Sequence, residues 1–376
     1  MTQPLSGLTV IDFSTLLPGP LATLMLAEAG ADVIKIERPG GEDMRRYPPF
    51  FAGGSAPFAL LNRGKRSVFI DLKSDAGRSQ ALSLIGDADI LVEQFRPGVM
   101  ERLGLGYGAV SASNRRLIYC SITGYGQSGP RALEAGHDIN YVGRTGLLDL
   151  SWGSRDQPVL PPAQIADIGG GTFPAIINVL LALLRRERTG EGAFLDIAMA
   201  DAMFTFSLFA QAIGTAGGRF PGNGKSLLAG GSPRYGLYRA KCGSMICVGA
   251  LEDHFWERLC KALEVADNAR DDKRDRHQSR QAIAAAIATK TAKEWAPILA
   301  AADCCASVLT PLAEAMRDPH FQGRGLFDHG VGEEEGYLPA AVVPIDAQFR
   351  AAPAIAPAPG MPDRPGSPGD DGPGSA

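Results

Sequence analysis

Short β-branched, apolar runs alternate with stretches of helical spacing through the first half of the chain. Leu8-Thr-Val-Ile-Asp-Phe13 is the first run, Ser14-Thr-Leu-Leu-Pro-Gly-Pro20 reads as a turn, and Leu21–Glu28 has helical composition closed by Gly30. Asp32-Val-Ile-Lys-Ile-Glu37 is a second strand. Strand, helix and strand in so short a stretch form a βαβ unit, which connects right-handed into a parallel sheet. Ser67–Asp71, Ile90–Glu93 and Leu117–Ser121 continue the strands, and Asp75–Ile85 the helices. The pattern predicts an open α/β domain over residues 1–200, with Phe173–Arg188 as a long core helix ending in a basic turn.

The character then changes. Ala202–Ile213 reads as an apolar helix running into the glycine-rich stretch 214–224, so residues 201–225 are expected to link two domains. Tyr235–Ala250 predicts an antiparallel hairpin turning at Cys242-Gly243, followed by helices over Glu252–Leu263, Ser279–Ala288 and Thr291–Ala301. This is a smaller α+β domain over 226–325, after which the chain is expected to rejoin the large domain at about 330–350. Residues 351–376 contain seven Pro and five Gly, which predicts an extended or disordered tail outside any core.

Composition narrows the function classes. The 376 residues include 37 Lys+Arg and 41 Asp+Glu, a net charge of −4, so nothing draws the whole molecule to nucleic acid or anionic lipid. An anionic ligand must be held by local basic residues. Hydrophobic residues at 45% and charged residues at 21% are those of a globular protein. Six Cys without CxxC or zinc spacing suggest a reduced, cytoplasmic setting and buried thiols. The N-terminus lacks signal-peptide character, and the apolar run Phe173–Leu184 is shorter than the roughly 20 residues a bilayer requires, so no membrane partner is expected.

Candidate chemistry is sparse. There is no P-loop, and Leu17-Pro-Gly-Pro20 is not a dinucleotide-binding GxGxxG turn. Asp167-Ile-Gly-Gly-Gly171 before a helix either favours an anion or permits close packing. Lys35, Arg38, Arg45, Arg46, Arg63, Lys65, Arg66, Lys73, Arg96 and Arg102 cluster early in the chain. They read either as solvated surface or as a site for the phosphates of a mononucleotide-like cofactor near strand ends. His137, in the polar string Ala135–Tyr141, and Asp167 are the leading titratable candidates, each with an ordinary reading beside the catalytic one: structural hydrogen-bonder and N-cap. Glu252, ahead of a helix, has the same two readings. His254, His277 (in the charged run Asp271–Arg280, which reads as solvated) and His320 are weaker, and Cys304-Cys305 reads as a pair of core thiols.

A dozen ordered motifs resemble the family III CoA-transferases (the CaiB/BaiF type). They include Leu5-Ser-Gly-Leu-Thr-Val-Ile-Asp-Phe13, Gly30-Ala-Asp-Val-Ile-Lys-Ile-Glu-Arg-Pro39, Arg63-Gly-Lys-Arg-Ser67, Phe95-Arg-Pro-Gly98, Arg102-Leu-Gly-Leu-Gly106 and Thr123-Gly-Tyr-Gly-Gln-Ser-Gly-Pro130. Gly136-His-Asp-Ile-Asn-Tyr141, Ala166-Asp-Ile-Gly-Gly-Gly171 and Gly249-Ala-Leu-Glu252 are similar to the α-methylacyl-CoA racemase branch. The resemblance implies a Rossmann-like large domain and a small domain in an interlocked homodimer, acting on a CoA thioester with no cofactor beyond its CoA moiety. It places CoA contacts on Arg38, Ile70, Asp71, Leu72, Lys73, Glu93, Phe95, Arg96 and Arg102. Gly136, Asp138, Ile139, Asn140 and Tyr141 would contact the thioester part. In the racemase branch His137 and Asp167 would exchange the α-proton on opposite faces, with Glu252 orienting the histidine and helix-start N–H groups after Asp167 holding the enolate oxygen.

Two other functions fit the same residues: CoA transfer between carboxylic acids with Asp167 as nucleophile, and a silent CoA-thioester binder. His137 favours the racemase. Arg234 stands where racemases often carry an aromatic residue, and is expected to face the acyl group and favour a more polar chain.

Overall fold

Each strand the hydrophobic pattern predicts in the first 125 residues forms, in a computed structural model that describes residues 3–52, 54–333 and 336–360. These are β1 (Thr9–Asp12), β2 (Asp32–Glu37), β3 (Arg66–Phe69), β4 (Ile90–Glu93) and β5 (Ile118–Thr123). A sixth, β6 (Ala193–Ala198), is absent from the sequence reading. All pair parallel in the order β3-β2-β1-β4-β5-β6. That is a doubly wound order, and it reverses direction between β1 and β4, where ligands of such sheets bind. The central strands read as apolar runs because both faces are covered; Val10, Ile11, Ile90, Leu91 and Ile118 are fully buried.

The helices follow from local chemistry. Helix α1 (Pro18–Glu28) opens with two prolines in its first turn and is apolar all round, and almost all of it is buried. Helix α2 (Asp75–Gly86) is capped by Ser74, whose side chain accepts from Gly77 N. Helix α3 (Asp138–Arg144) follows a long loop after β5. Then a π-helical segment, Ile165–Thr172, runs directly into α4 (Phe173–Thr189). The resulting 25-residue stretch, Ile165–Thr189, is long and apolar enough to cross a membrane by length and composition, which corrects the estimate from the apolar run alone. Along α4, Ala175, Val179, Ala182 and Arg186 are buried, whereas Phe173, Ile177, Leu180, Leu181 and Leu184 form an exposed stripe.

The chain divides into two compact units. The first comprises Met1–Tyr141, Ala163–Met203 and Gln322–Ala376, and holds the parallel sheet. The second comprises Val142–Pro162 and Phe204–Phe321. Residues 142–162 therefore leave the unit into which the sequence reading put them, and the stretch read as a linker carries α5 (Leu208–Gly217). In the second unit β7 (Tyr235–Arg239), β8 (Met245–Gly249) and β9 (Ala306–Val308) make an antiparallel sheet in the order β9-β8-β7. Helices α6 (Asp253–Ala262), α7 (Arg276–Ile287) and α8 (Ala292–Ala302) enclose a core around Trp256, Leu259, Ile283, Ile287 and Trp295. Thr291 and Glu294 form a reciprocal capping box at the start of α8.

Three further expectations are corrected. Part of the expected tail is structured: Ile355–Ala356 pairs with the strand His329–Glu333, and Arg45 donates to the Pro359 and Gly360 carbonyls. Residues 361–376 of that tail lie outside the described residues. Of the cysteines, all free, Cys120, Cys260 and Cys304 are buried, but Cys242 and Cys305 are exposed. The charged run Asp271–Arg280 is not wholly solvated, because Asp272 and Ser279 are buried.

Candidate active site

The sheet's switch point carries the site. Past the C-terminal end of β1 the backbone turns sharply, with Leu16 at φ +62°, and enters α1. A buried polar network fixes this turn. Asp12 accepts from Ser14 N at 2.8 Å and from Thr23 Oγ1 at 2.6 Å, while Lys65 Nζ lies 3.3 Å from it. Lys35 Nζ donates to Ser14 O at 2.7 Å and pairs with Glu42, which also accepts from Leu16 N. Burial alone would push the Asp12 carboxyl up, but Lys35 and Lys65 together with the hydrogen bonds from Ser14 and Thr23 outweigh it and hold the group down at about 2. Burial pushes Lys65 down to about 7.

From β4, the buried Glu93 carboxylate accepts from Phe95 N and sets the loop Gln94–Pro97. Burial raises Glu93 to about 7. Gln94 Oε1 in turn accepts from Gly19 N at 3.0 Å, joining the two loops. From β5, Thr123 and Gly124 lead into the segment that ends in α3, where Tyr141 Oη donates to Gly136 O at 2.6 Å. A Cβ on Gly124 or Gly136 would lie 2.5 or 2.7 Å from the Tyr141 ring, so a side chain at either position would displace that ring.

Asp167 enters from the π-helical segment. It is no N-cap: that place belongs to Gln164, and the Asp167 carboxylate caps nothing. Asp138 does the capping, its Oδ1 accepting from Ala166 N at 2.6 Å and Asp167 N at 3.1 Å. The Ile168 N–H is also taken, by Gln164 O, so it is not open to an enolate oxygen. The glycines that follow serve packing. A Cβ on Gly170 would lie 2.2 Å from Met199 O, and one on Gly171 3.0 Å from Pro18 Cβ.

These loops surround a cavity of ≈ 440 Å³, lined among others by Pro18, Gln94, Phe95, Arg96, Thr123, Gly136, His137, Asn140, Tyr141 and Asp167. Desolvation by burial, then the neighbouring Asp138 charge, raise the Asp167 carboxyl from 3.8 to about 6, against an opposing contribution from His137. A carboxyl that titrates near neutrality beside an imidazole can both accept and return a proton.

The other expected residues lie as follows. Arg38, Asp71, Lys73 and Arg102 are exposed, and Leu72 is half-buried. The Ile70 side chain is 2% exposed in the core, which leaves only its main chain to meet a ligand. Ile139 is exposed on α3, while Asp138 points its carboxylate into the protein. The basic cluster divides. Lys35, Arg45, Arg63 and Lys65 are committed to internal ion pairs, whereas Lys73, Arg96 and Arg102 make none among the described residues.

Glu252 belongs to the second unit, where it occupies the N-cap of α6. It is exposed, and its carboxylate makes no hydrogen bond among the described residues. Arg234 departs from expectation. Its guanidinium is buried and bonded to Asp272, Asp253 and the Leu251 carbonyl, so it does not offer a free cation to an acyl chain.

The profile of the family described as CoA-transferase family III matches residues 5–363. Human α-methylacyl-CoA racemase is 33% identical over 93% of this chain and 90% of its own length. Acetyl-CoA:oxalate CoA-transferase of Acetobacter aceti is 34% identical over 86% of this chain and 85% of its own. The crystal structure of a CaiB/BaiF family protein from Brucella suis superposes with a TM-score of 0.82 at 28% identity, covering 96% of this chain and 97% of that one. Sequence and fold agree over nearly the whole length, and the chain belongs to CoA-transferase family III.

Proposed function

We propose that this enzyme is a 2-methylacyl-CoA racemase. The observation that carries the reading is that His137 and the Asp167 carboxyl, held near neutrality, line one cavity at the switch point of the sheet. One of the pair removes the α-proton of the thioester, and the C–H electrons pass into the carbonyl to give an enolate. The other delivers a proton to the opposite face of the same carbon. The base ends protonated and the acid ionised, and exchange with solvent resets both. In this reading the CoA moiety lies along Arg38, the main chain of Ile70, Asp71, Leu72, Lys73, Phe95, Arg96 and Arg102, with Glu93 fixing the loop beneath it. Glu252 orients the histidine. The working form is a homodimer, and the exposed apolar stripe on α4 supports burial against a second copy.

In D₂O the enzyme should wash deuterium into the α-position of a 2-methylacyl-CoA with no acceptor acid present. His137→Ala should slow racemisation by roughly 10²–10⁴-fold. The close likeness to an oxalate CoA-transferase supports a second reading, in which the Asp167 carboxylate attacks the thioester carbonyl and expels CoA as thiolate. The thiolate then attacks the mixed anhydride, releasing the first carboxylate and leaving an aspartyl-CoA thioester. Acceptor-dependent turnover, with Asp167 trapped by hydroxylamine and no α-exchange, would replace the racemase by the transferase.

A further inference from the structure

The Glu252 side chain does none of the work of an N-cap. Its backbone has the extended conformation of one, at φ −73°, ψ +145°, and its carbonyl accepts from Trp256 N, but among the described residues its carboxylate bonds to nothing, and Asp253 supplies the acidic charge of the first turn. An exposed glutamate of this kind ordinarily has many rotamers and a mobile backbone. Here one side chain holds the backbone just before it and the side chain just after it. Arg234 Nη1 donates to the Leu251 carbonyl at 2.9 Å and to Asp253 Oδ1 at 2.6 Å, the residues immediately before and after Glu252. Its remaining donors grip Asp272 through two bonds, Nε to Oδ2 at 3.0 Å and Nη2 to Oδ1 at 2.7 Å. The Arg234 Cζ atom also lies 5.2 Å from the centroid of the Trp256 ring, on the next part of α6.

The anchor is buried and bonded on several sides. Arg234 and Asp272 are 9% and 7% exposed, Arg234 N bonds to Ser232 Oγ, and Trp256 Nε1 bonds to Arg270 O. A five-donor planar fork can serve Asp272, Leu251 and Asp253 at once, whereas lysine, a point charge with a single nitrogen, cannot reproduce the geometry.

We infer that Arg234 is a positioning residue for Glu252: it fixes the turn from β8 into α6, and with it the point and direction in which the Glu252 side chain leaves the backbone. The inference rests on the racemase reading, in which Glu252 orients the catalytic histidine. It replaces the expectation that Arg234 selects the acyl chain.

The test is a double-substitution cycle on the full-length enzyme, read as α-proton exchange of a 2-methylacyl-CoA in D₂O, with kcat and KM separated and folding checked by thermal melts. Glu252→Gln should lower kcat, and Arg234→Lys should lower it about 10–100-fold with KM changed little, the size expected of a misplaced orienting group. The two together should be no worse than Glu252→Gln alone, because the arginine acts only through the glutamate. Asp253→Ala removes one exposed bond of the clamp without touching the buried pair. It should give a smaller kcat loss in the same direction, and covers the case in which Arg234→Lys fails to fold. If Glu252→Gln is defective while Arg234→Lys is fully active, or the two losses multiply, the positioning role is wrong and the racemase reading stands. No exchange by the unaltered enzyme, or full activity in Glu252→Gln, would fail the underlying reading itself.

Discussion

Asp167 carries a stability cost that can be measured without any substrate. Burial and Asp138 raise its carboxyl from 3.8 to about 6, so the folded chain holds that proton more tightly than the unfolded chain does. The resulting stabilisation is complete below about pH 4 and is lost as pH rises through 6. At pH 8 the folded state carries a charge in surroundings that disfavour it. The rise corresponds to about 3 kcal/mol at most, and partial exposure brings the expected figure to about 1–2 kcal/mol. Asp167→Asn should therefore be more stable than the parent by that amount at pH 8, with the gain vanishing near pH 4. Denaturant melts showing no difference at either pH would mean that the carboxyl is unperturbed. The sequence marks Asp167 as a titratable residue before a helix and His137 as one in a polar string, which is local information. It does not mark Asp138 as the group that caps Asp167 and repels its charge, because that contact joins residues far apart in the chain.

At the level of elements, the π-helical segment is held in place by its lack of side chains. The Gly170 position faces Met199 O so closely that a single methyl group must displace backbone. Gly170→Ala should cost about 1–3 kcal/mol in a thermal or chemical melt, the range of overpacked sites, and should depress exchange activity by moving Asp167. A variant of parental stability would show that the segment can relax. Most strands are legible because buried parallel strands are apolar runs. Strand β6 is not, since Ala193-Phe-Leu-Asp-Ile-Ala198 carries Asp196 in its middle, paired to Gln127 N, and leaves Phe194 40% exposed. The buried lysines are equally hidden. Lys35 and Lys65 look like surface charges until the topology brings Asp12, Glu42 and Ser14 around them. Arg234 and Asp272 repeat the lesson in the second unit, where an ion pair between two distant turns was legible neither from spacing nor from charge.

For the whole molecule, the stripe of Ile177, Leu181 and Leu184 is 56%, 58% and 62% exposed, more apolar surface on one helix than a lone subunit ordinarily shows to water. Sedimentation at micromolar concentration should give a dimer, and Leu181→Glu with Leu184→Glu should shift it to monomer or aggregate; a folded wild-type monomer would overturn the assembly. Helix α1 has a different kind of cover. Leu24 and Met25 pack against Val343, Arg63 donates to the Ala341 carbonyl, and Ala351 N closes on Glu28 O. The segment that seals helix α1 is thus made long after the helix itself. At roughly 5–20 residues per second, a ribosome takes about 15–60 s to pass from Met25 to Val343. For that interval the finished sheet must carry α1 with one greasy flank uncovered, so order of synthesis, and not only final stability, sets how much this chain depends on chaperones while it is being born.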